Sequence, residues 1–166
     1  MQQGRTPRHS RFVMSRFMVP QDTNPYGSIH GGVIMKNIDE AGAVAAIRHC
    51  RQNAVTASID RLHFLRPVYV GELVFFKANV NMTGRSSMEV GVRVEAENLY
   101  SGEVRHVASA YITFVSVDQK GSPIPVPPLV LENEEDERRR IEALRRKKMR
   151  SEELQSERQQ PIPRYP

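Results

Sequence analysis

The sequence predicts an α+β domain in which one long helix is wrapped by an antiparallel β-sheet. Three observations lead there. Between Gly31 and Cys50, Ile34, Ile38, Ala41 and Ala45 recur at a helical period. Two later stretches alternate between apolar and polar residues, as the strands of a hairpin do. One candidate strand precedes the helix and four follow it, which suits a sheet closing around a single helix. With 166 residues, 39% hydrophobic and 26% charged, the chain supports one core. No apolar run approaches the ~20 residues of a membrane span, and the basic N-terminus lacks the apolar stretch of a secretory leader. A single cysteine excludes an intrachain disulfide and a cysteine zinc cluster. A cytoplasmic protein without a membrane partner is expected.

The elements follow in order. A strand is expected across Arg11 to Val19, then turn chemistry in Asp22-Thr23-Asn24-Pro25-Tyr26-Gly27. On the helix, a second stripe of Gly32, Met35, Asp39, Ala43 and Ala46 falls beside the first, leaving Lys36, Asn37, Glu40 and Arg48 as the polar arc. Val55, Ala57 and Ile59 hand over to Leu62 and Phe64 with a change of parity, which predicts a bulge near Arg61. Val74, Phe76, Ala78, Val80 and Met82 form the next strand, and Met88, Val90, Val92, Val94 and Ala96 the one after, with Gly84-Arg85-Ser86-Ser87 turning between them. From Val104 to Val117 both parities are apolar, as in a strand covered on both faces.

Beyond this the polymer changes. All ten glycines lie at or before Gly121, and seven of the eleven prolines at or after Pro123. Residues 132–166 separate acids (Glu132 to Glu137) from bases (Arg138 to Arg150), the order a helix dipole favours. Acid-first pairs at i,i+4, such as Glu134/Arg138, Glu135/Arg139, Asp136/Arg140 and Glu142/Arg146, predict a solvated helix. The domain is therefore placed at 8–128, with 129–166 a charged, helical extension ending in a Pro-rich segment. The +5 formal charge divides into +4 on residues 1–131 and +1 on the remainder, so the visibly basic tail is nearly neutral and nucleic acid is not the expected partner.

Chemistry gathers around the helix. Asp39 sits on a stripe otherwise made of glycine, methionine and alanine, where a carboxylate needs a reason. It is either solvated at the edge of the apolar face or paired with Arg48 or Lys36, or it is poised as a general base. His30-Gly31-Gly32 opens the helix with two residues lacking side chains. Uncovered N–H groups there suit an anion or oxyanion, and equally a tight turn. Cys50 and His49, adjacent on a helix, point about 100° apart and make a poor nucleophile pair. His9, His63 and His106 have no metal-ligand spacing, and no GxGxxG or phosphate-loop pattern occurs.

The strings DTNPYGSIHGGVIMKNIDEAG, VTASIDRLHFLRPVYVGELV, TGRSSMEVGVRVEAEN and AYITFVSVDQKGSPIPVP together resemble the hotdog-fold acyl-CoA thioesterases, from about Arg8 to Pro128. The resemblance implies the hotdog fold, a homodimer with a continuous sheet, and further assembly into a trimer of dimers, a homohexamer. It implies hydrolysis of acyl-CoA to a free acid and CoA, with coenzyme A entering only as part of the substrate and no other cofactor. It assigns Asn24 and Asp39 to a site built across the dimer interface, with Asp39 as base or nucleophile. The resemblance further implies that the amide of Gly31 or Gly32 holds the thioester carbonyl, that His30 falls at the HGG position and that Thr56 orients the base or the water. It also implies that Arg85, Ser86 and Ser87 contact the CoA phosphates. Two rival functions are a non-catalytic acyl-CoA-binding or sensing module and a hotdog hydroxyacyl dehydratase.

Overall fold

The computed structural model describes residues 3–159. Its elements are α1 (Pro7–Ser10), β1 (Phe12–Phe17), a 3-10 turn (Pro20–Asp22), α2 (Gly31–Cys50), β2 (Asn53–Phe64), β3 (Glu72–Thr83), β4 (Ser87–Asn98), β5 (Val104–Val117) and α3 (Glu134–Gln159). The five strands form one antiparallel sheet in the order β1-β3-β4-β5-β2. A long helix against such a sheet is the predicted architecture. The Pro-rich end of the tail lies outside the described residues.

Helix α2 begins where His30, extended at φ −60° and ψ 129°, accepts the Gly32 N–H on its Nδ1. It ends at Arg51, whose left-handed φ of 57° lets its N–H reach the Ile47 carbonyl. Ile34, Ile38, Ala41 and Ala45 are all buried in the core. Gly42 joins them because the Phe114 ring lies where any side chain would go, 3.0 Å from the position of a Cβ. Two expectations need correction. Asn37 belongs to the buried face, not to the polar arc: its Nδ2 donates to the Val33 carbonyl one turn back, 2.7 Å away, which satisfies it without solvent. The second stripe is not enclosed by the chain's own sheet. Met35 is 40% exposed and Asp39 and Ala43 are half-buried, and only Ala46 is fully covered.

Alternation assigns the two faces of the sheet. Phe114 and Ile112 of β5 meet α2, whereas Tyr111 and Thr113 meet α3 through Arg146 and Arg150. In β4, Met88, Val90, Val92 and Val94 enter the core, while Glu89 points the other way and binds Arg146. Helix α3 is therefore docked on the outer face and is not a solvated arm. Ala143 is fully buried beneath it, and Asn133 caps its start by accepting the Asp136 N–H, while the Asp136 carboxylate reaches back to the Glu132 N–H. The local pairs are partly as predicted. Glu135 binds Arg139, but Arg138 takes Glu135 and Glu142, and Arg140 lies nearest Glu137. Arg146 leaves Glu142 for Glu89.

The β3–β4 hairpin is present, as is the bulge near Arg61: register breaks fall between Ile59 and Arg61 and also between Thr56 and Ser58. After β5 the chain runs back along the sheet. Val126 N–H reaches the Arg85 carbonyl, and the Pro127 carbonyl takes the Nε2–H of His49 at 3.0 Å. No helix among the described residues is long and apolar enough to cross a membrane.

His49 is fully buried with its Nδ1 unpartnered, and burial pushes its pKa below the ordinary histidine value. The unfolded chain then binds a proton that the fold refuses. Stability is full above about pH 6.5 and is lost as pH falls below it toward the depressed folded value. Urea midpoints between pH 8 and pH 5 should fall for the wild type. They should fall less for His49→Gln, which keeps a donor for Pro127 and cannot titrate.

Candidate active site

Asp39 lies two turns into α2, and Thr56 lies on β2, the strand that follows. The fold brings them together: Thr56 Oγ1 donates to Asp39 Oδ1 at 2.6 Å. The other partners open to Asp39 are occupied elsewhere. Lys36 faces Glu40 at 3.8 Å, and Arg48 donates to the Arg11 carbonyl at 3.0 Å. A half-buried carboxylate oriented by a hydroxyl, with no cation paired to it among the described residues, keeps lone pairs that can accept a proton.

The helix N-terminus distinguishes the two glycines. The Gly32 N–H is already given to His30 Nδ1 at 2.9 Å, so His30 serves as the helix cap and that ring nitrogen carries no proton. The Gly31 N–H has no acceptor among the described residues. It stands at a cavity of about 340 Å³ lined by Ile29, Ile34, Phe64, Leu65, Val68 and Val107. The Phe64 ring closes on Gly31, 3.5 Å from where a Cβ would be. An uncapped amide at the positive end of a 20-residue helix, facing an apolar hollow, is a place where negative charge on a carbonyl oxygen is stabilised.

Asn24 is held inside its own loop. Its Oδ1 accepts the N–H of Tyr26 at 2.9 Å and of Ser28 at 3.3 Å, and its Nδ2 donates to Ser28 Oγ at 2.8 Å. These bonds fix the loop's shape without bringing Asn24 to Asp39 within the chain. The Gly84–Ser87 turn is fixed too: the Gly84 N–H reaches the Ser87 carbonyl at 2.7 Å, and the Arg85 and Ser86 carbonyls accept from Val126 and Ser116. The Arg85 side chain is exposed. Sequence reasoning missed a second cation here. Lys147 of α3 brings its Nζ to within 3.7 Å of the position a Gly84 Cβ would take. Only docking of the tail, which its local charge pairs concealed, could have signalled it.

A single helix seated on a five-stranded antiparallel sheet, with a carboxylate on the helix and a bare amide at its start, is the hotdog arrangement. Residues 26–103 match the thioesterase superfamily. The acyl-CoA thioester hydrolase YkhA of Bacillus subtilis is 40% identical over 129 residues, covering 78% of this chain and 75% of that protein. The cytosolic acyl coenzyme A thioester hydrolase of Rattus norvegicus is 37% identical over 82% of this chain, which spans only 36% of the length of that protein. Among solved structures, an apo-hexameric acyl-CoA thioesterase superimposes with a TM-score of 0.89 at 38% identity, covering 92% of this chain and 97% of that one. The acyl-CoA hydrolase of Staphylococcus aureus, solved with butyryl coenzyme A and coenzyme A, does so at 0.86 and 32% identity, over 93% of this chain and 94% of its own. The same enzyme has been solved with an asparagine, an aspartate and a threonine each changed to alanine, at positions 15 and 17 residues apart. The chain belongs to the thioesterase superfamily of hotdog-fold proteins.

Proposed function

We propose that this chain hydrolyses acyl-CoA thioesters to a free carboxylic acid and coenzyme A. The observation that carries the reading is the Thr56–Asp39 hydrogen bond, which orients a carboxylate on the same helix whose opening Gly31 amide has no acceptor among the described residues. The spacing of Asn24, Asp39 and Thr56, 15 and then 17 residues, equals that of the three residues altered in the Staphylococcus aureus enzyme and supports giving these positions the catalytic work.

In the proposed reaction the thioester carbonyl oxygen points at the Gly31 N–H. Asp39 takes a proton from a water whose oxygen attacks the carbonyl carbon. The tetrahedral intermediate collapses, the carbon–sulfur bond breaks, and the CoA thiolate leaves with the proton Asp39 took. Attack by the carboxylate itself, through a mixed anhydride, uses the same residues. Oxygen-18 from solvent found in Asp39 after a single turnover would mark that route. Arg85, Ser86 and Ser87, with Lys147, take the CoA phosphates, for which guanidinium and ammonium groups are suited. Coenzyme A enters as part of the substrate, and the scheme uses no other cofactor.

The active unit is a homodimer. β2 is a sheet edge of 12 residues, with Val55 49%, Ile59 42% and Phe64 51% exposed, and Met35 is exposed on the helix stripe that also carries Asp39. A long apolar edge of this kind pairs with its like. Pairing would extend the sheet, cover the half-open stripe and bring Asn24 of the partner subunit to Asp39. Three such dimers would make the hexamer.

Subunit mixing tests the site and the assembly together. Asn24→Ala and Asp39→Ala should each be inactive alone. Mixed and reassociated, they should recover about a quarter of wild-type activity, because half of the random dimers hold one intact site. Absence of recovery would place both residues in one subunit's site.

A further inference from the structure

We infer that Arg150 of the C-terminal helix is a positioning residue for thioester hydrolysis: by pairing with Asp60 across the sheet it fixes the bulged segment of β2 that carries Thr56. This rests on the catalytic reading of Asp39 and Thr56 given above.

In an unbroken strand, Thr56 and Asp60 would point to the same face. Here they point to opposite faces. Thr56 is paired with Phe114, whose ring packs on Gly42 of α2, and its hydroxyl meets Asp39 on that side. Asp60 points to the α3 side, where its Oδ2 accepts from Thr113 Oγ1 at 3.1 Å and from the Arg150 guanidinium. The register break at Ala57 makes the reversal, and a second break falls at Asp60 itself. They also interrupt the ladder between β2 and β5, the strand that β2 pairs with among the described residues. The segment that sets the Thr56 hydroxyl is thus short of regular ladder pairing on its β5 side.

The α3 side supplies the missing fastening. The Asp60 side chain is 6% exposed and gathers three donors: Ser58 Oγ at 2.5 Å, Thr113 Oγ1 and Arg150. Asp60 is the unpaired residue of the second break and Ser58 lies just before it, so the carboxylate ties the bulge back to the paired residues between the two breaks. Arg150 also donates to Thr113 Oγ1 at 2.8 Å, which joins the bulge to the intact β5. One turn earlier on the same helix face, Arg146 is seated on Glu89 of β4, with its guanidinium 3.6 Å above the Tyr111 ring. Helix α3 is anchored to the middle of the sheet at one turn and holds the edge at the next.

A positioning role predicts a loss in kcat with little change in KM, carried through Thr56. In the full chain, Arg150→Met should lower kcat about 10-fold while KM, hexamer assembly and circular dichroism stay near wild type. Arg150→Lys, which can still reach Asp60 with one hydrogen bond, should recover part of the loss. In a Thr56→Ala background, which retains slow turnover because Thr56 orients and does not react, Arg150→Met should change kcat by less than about 2-fold. Equal losses in the two backgrounds, no loss in either, or a Thr56→Ala enzyme with no turnover left would each overturn the inference. Asp39→Asn, assayed in parallel, separates the two levels. If it stays active, the catalytic reading fails. If it is inactive while Arg150→Met has wild-type kcat, only the role of Arg150 fails.

Discussion

Asp39→Asn should reduce acyl-CoA hydrolysis about 1,000-fold, read as thiol release with a chromogenic disulfide, and leave the circular dichroism spectrum and the thermal midpoint close to wild type. The amide keeps an oxygen where Thr56 Oγ1 now donates at 2.6 Å, so the geometry of α2 against β2 survives and only the capacity to accept a proton goes. Because Asp39 is half-buried and pairs with no cation among the described residues, the loss of charge strands none there. Binding of coenzyme A should persist, since the residues given to its phosphates lie on the β3–β4 turn and on α3, away from Asp39. A variant retaining more than about a tenth of wild-type kcat would move the base elsewhere.

Arg146→Met should cost about 3 kcal/mol of stability, the largest loss expected of any surface substitution in the tail. Glu89 is 1% exposed, and its carboxylate is held by the two nitrogens of Arg146 at 2.7 and 3.1 Å and by Asn81 Nδ2 at 3.3 Å. Removing the guanidinium leaves a buried charge with one neutral donor. The Glu89→Leu/Arg146→Met double variant should regain most of the stability, because an apolar pair fills the same space without desolvating a charge. Denaturant midpoints at fixed protein concentration measure both, since assembly contributes to stability. If the double variant were no more stable than Arg146→Met, burial of the charge would not be the cause.

The helix and hairpin were legible because their signals are local. Ile34, Ile38, Ala41 and Ala45 repeat at the period of the structure they form, and the parity change before Leu62 is the bulge itself. Asp39, Thr56, Gly31 and Asn24 were nominated through resemblance and helix position, but the sequence could not choose between Gly31 and Gly32. The His30 ring favours Gly31, because it folds back on the Gly32 amide and leaves the Gly31 amide without an acceptor among the described residues. Asn37 misled because polarity on a wheel says nothing of a side chain that bonds its own backbone. The tail misled for a related reason. Arg146 and Arg150 have plausible acids nearby in sequence, and nothing local reveals that their partners are Glu89 and Asp60, 57 and 90 residues away.

The strand order carries a consequence for how the chain comes to be active during synthesis. The first two strands made, β1 and β2, sit at opposite ends of the sheet, and each pairs only with a strand made later, β3 and β5. Helix α2 therefore leaves the ribosome with its apolar stripe and no sheet to receive it, while β3, β4 and β5 form a meander of neighbouring hairpins that folds from local contacts. β2 joins last on that order, and Thr56 with it. On the roles proposed for Asp39 and Thr56, catalytic competence is thus gained late, after the bulk of the core, while the emerging helix exposes an apolar stripe of the kind chaperones protect.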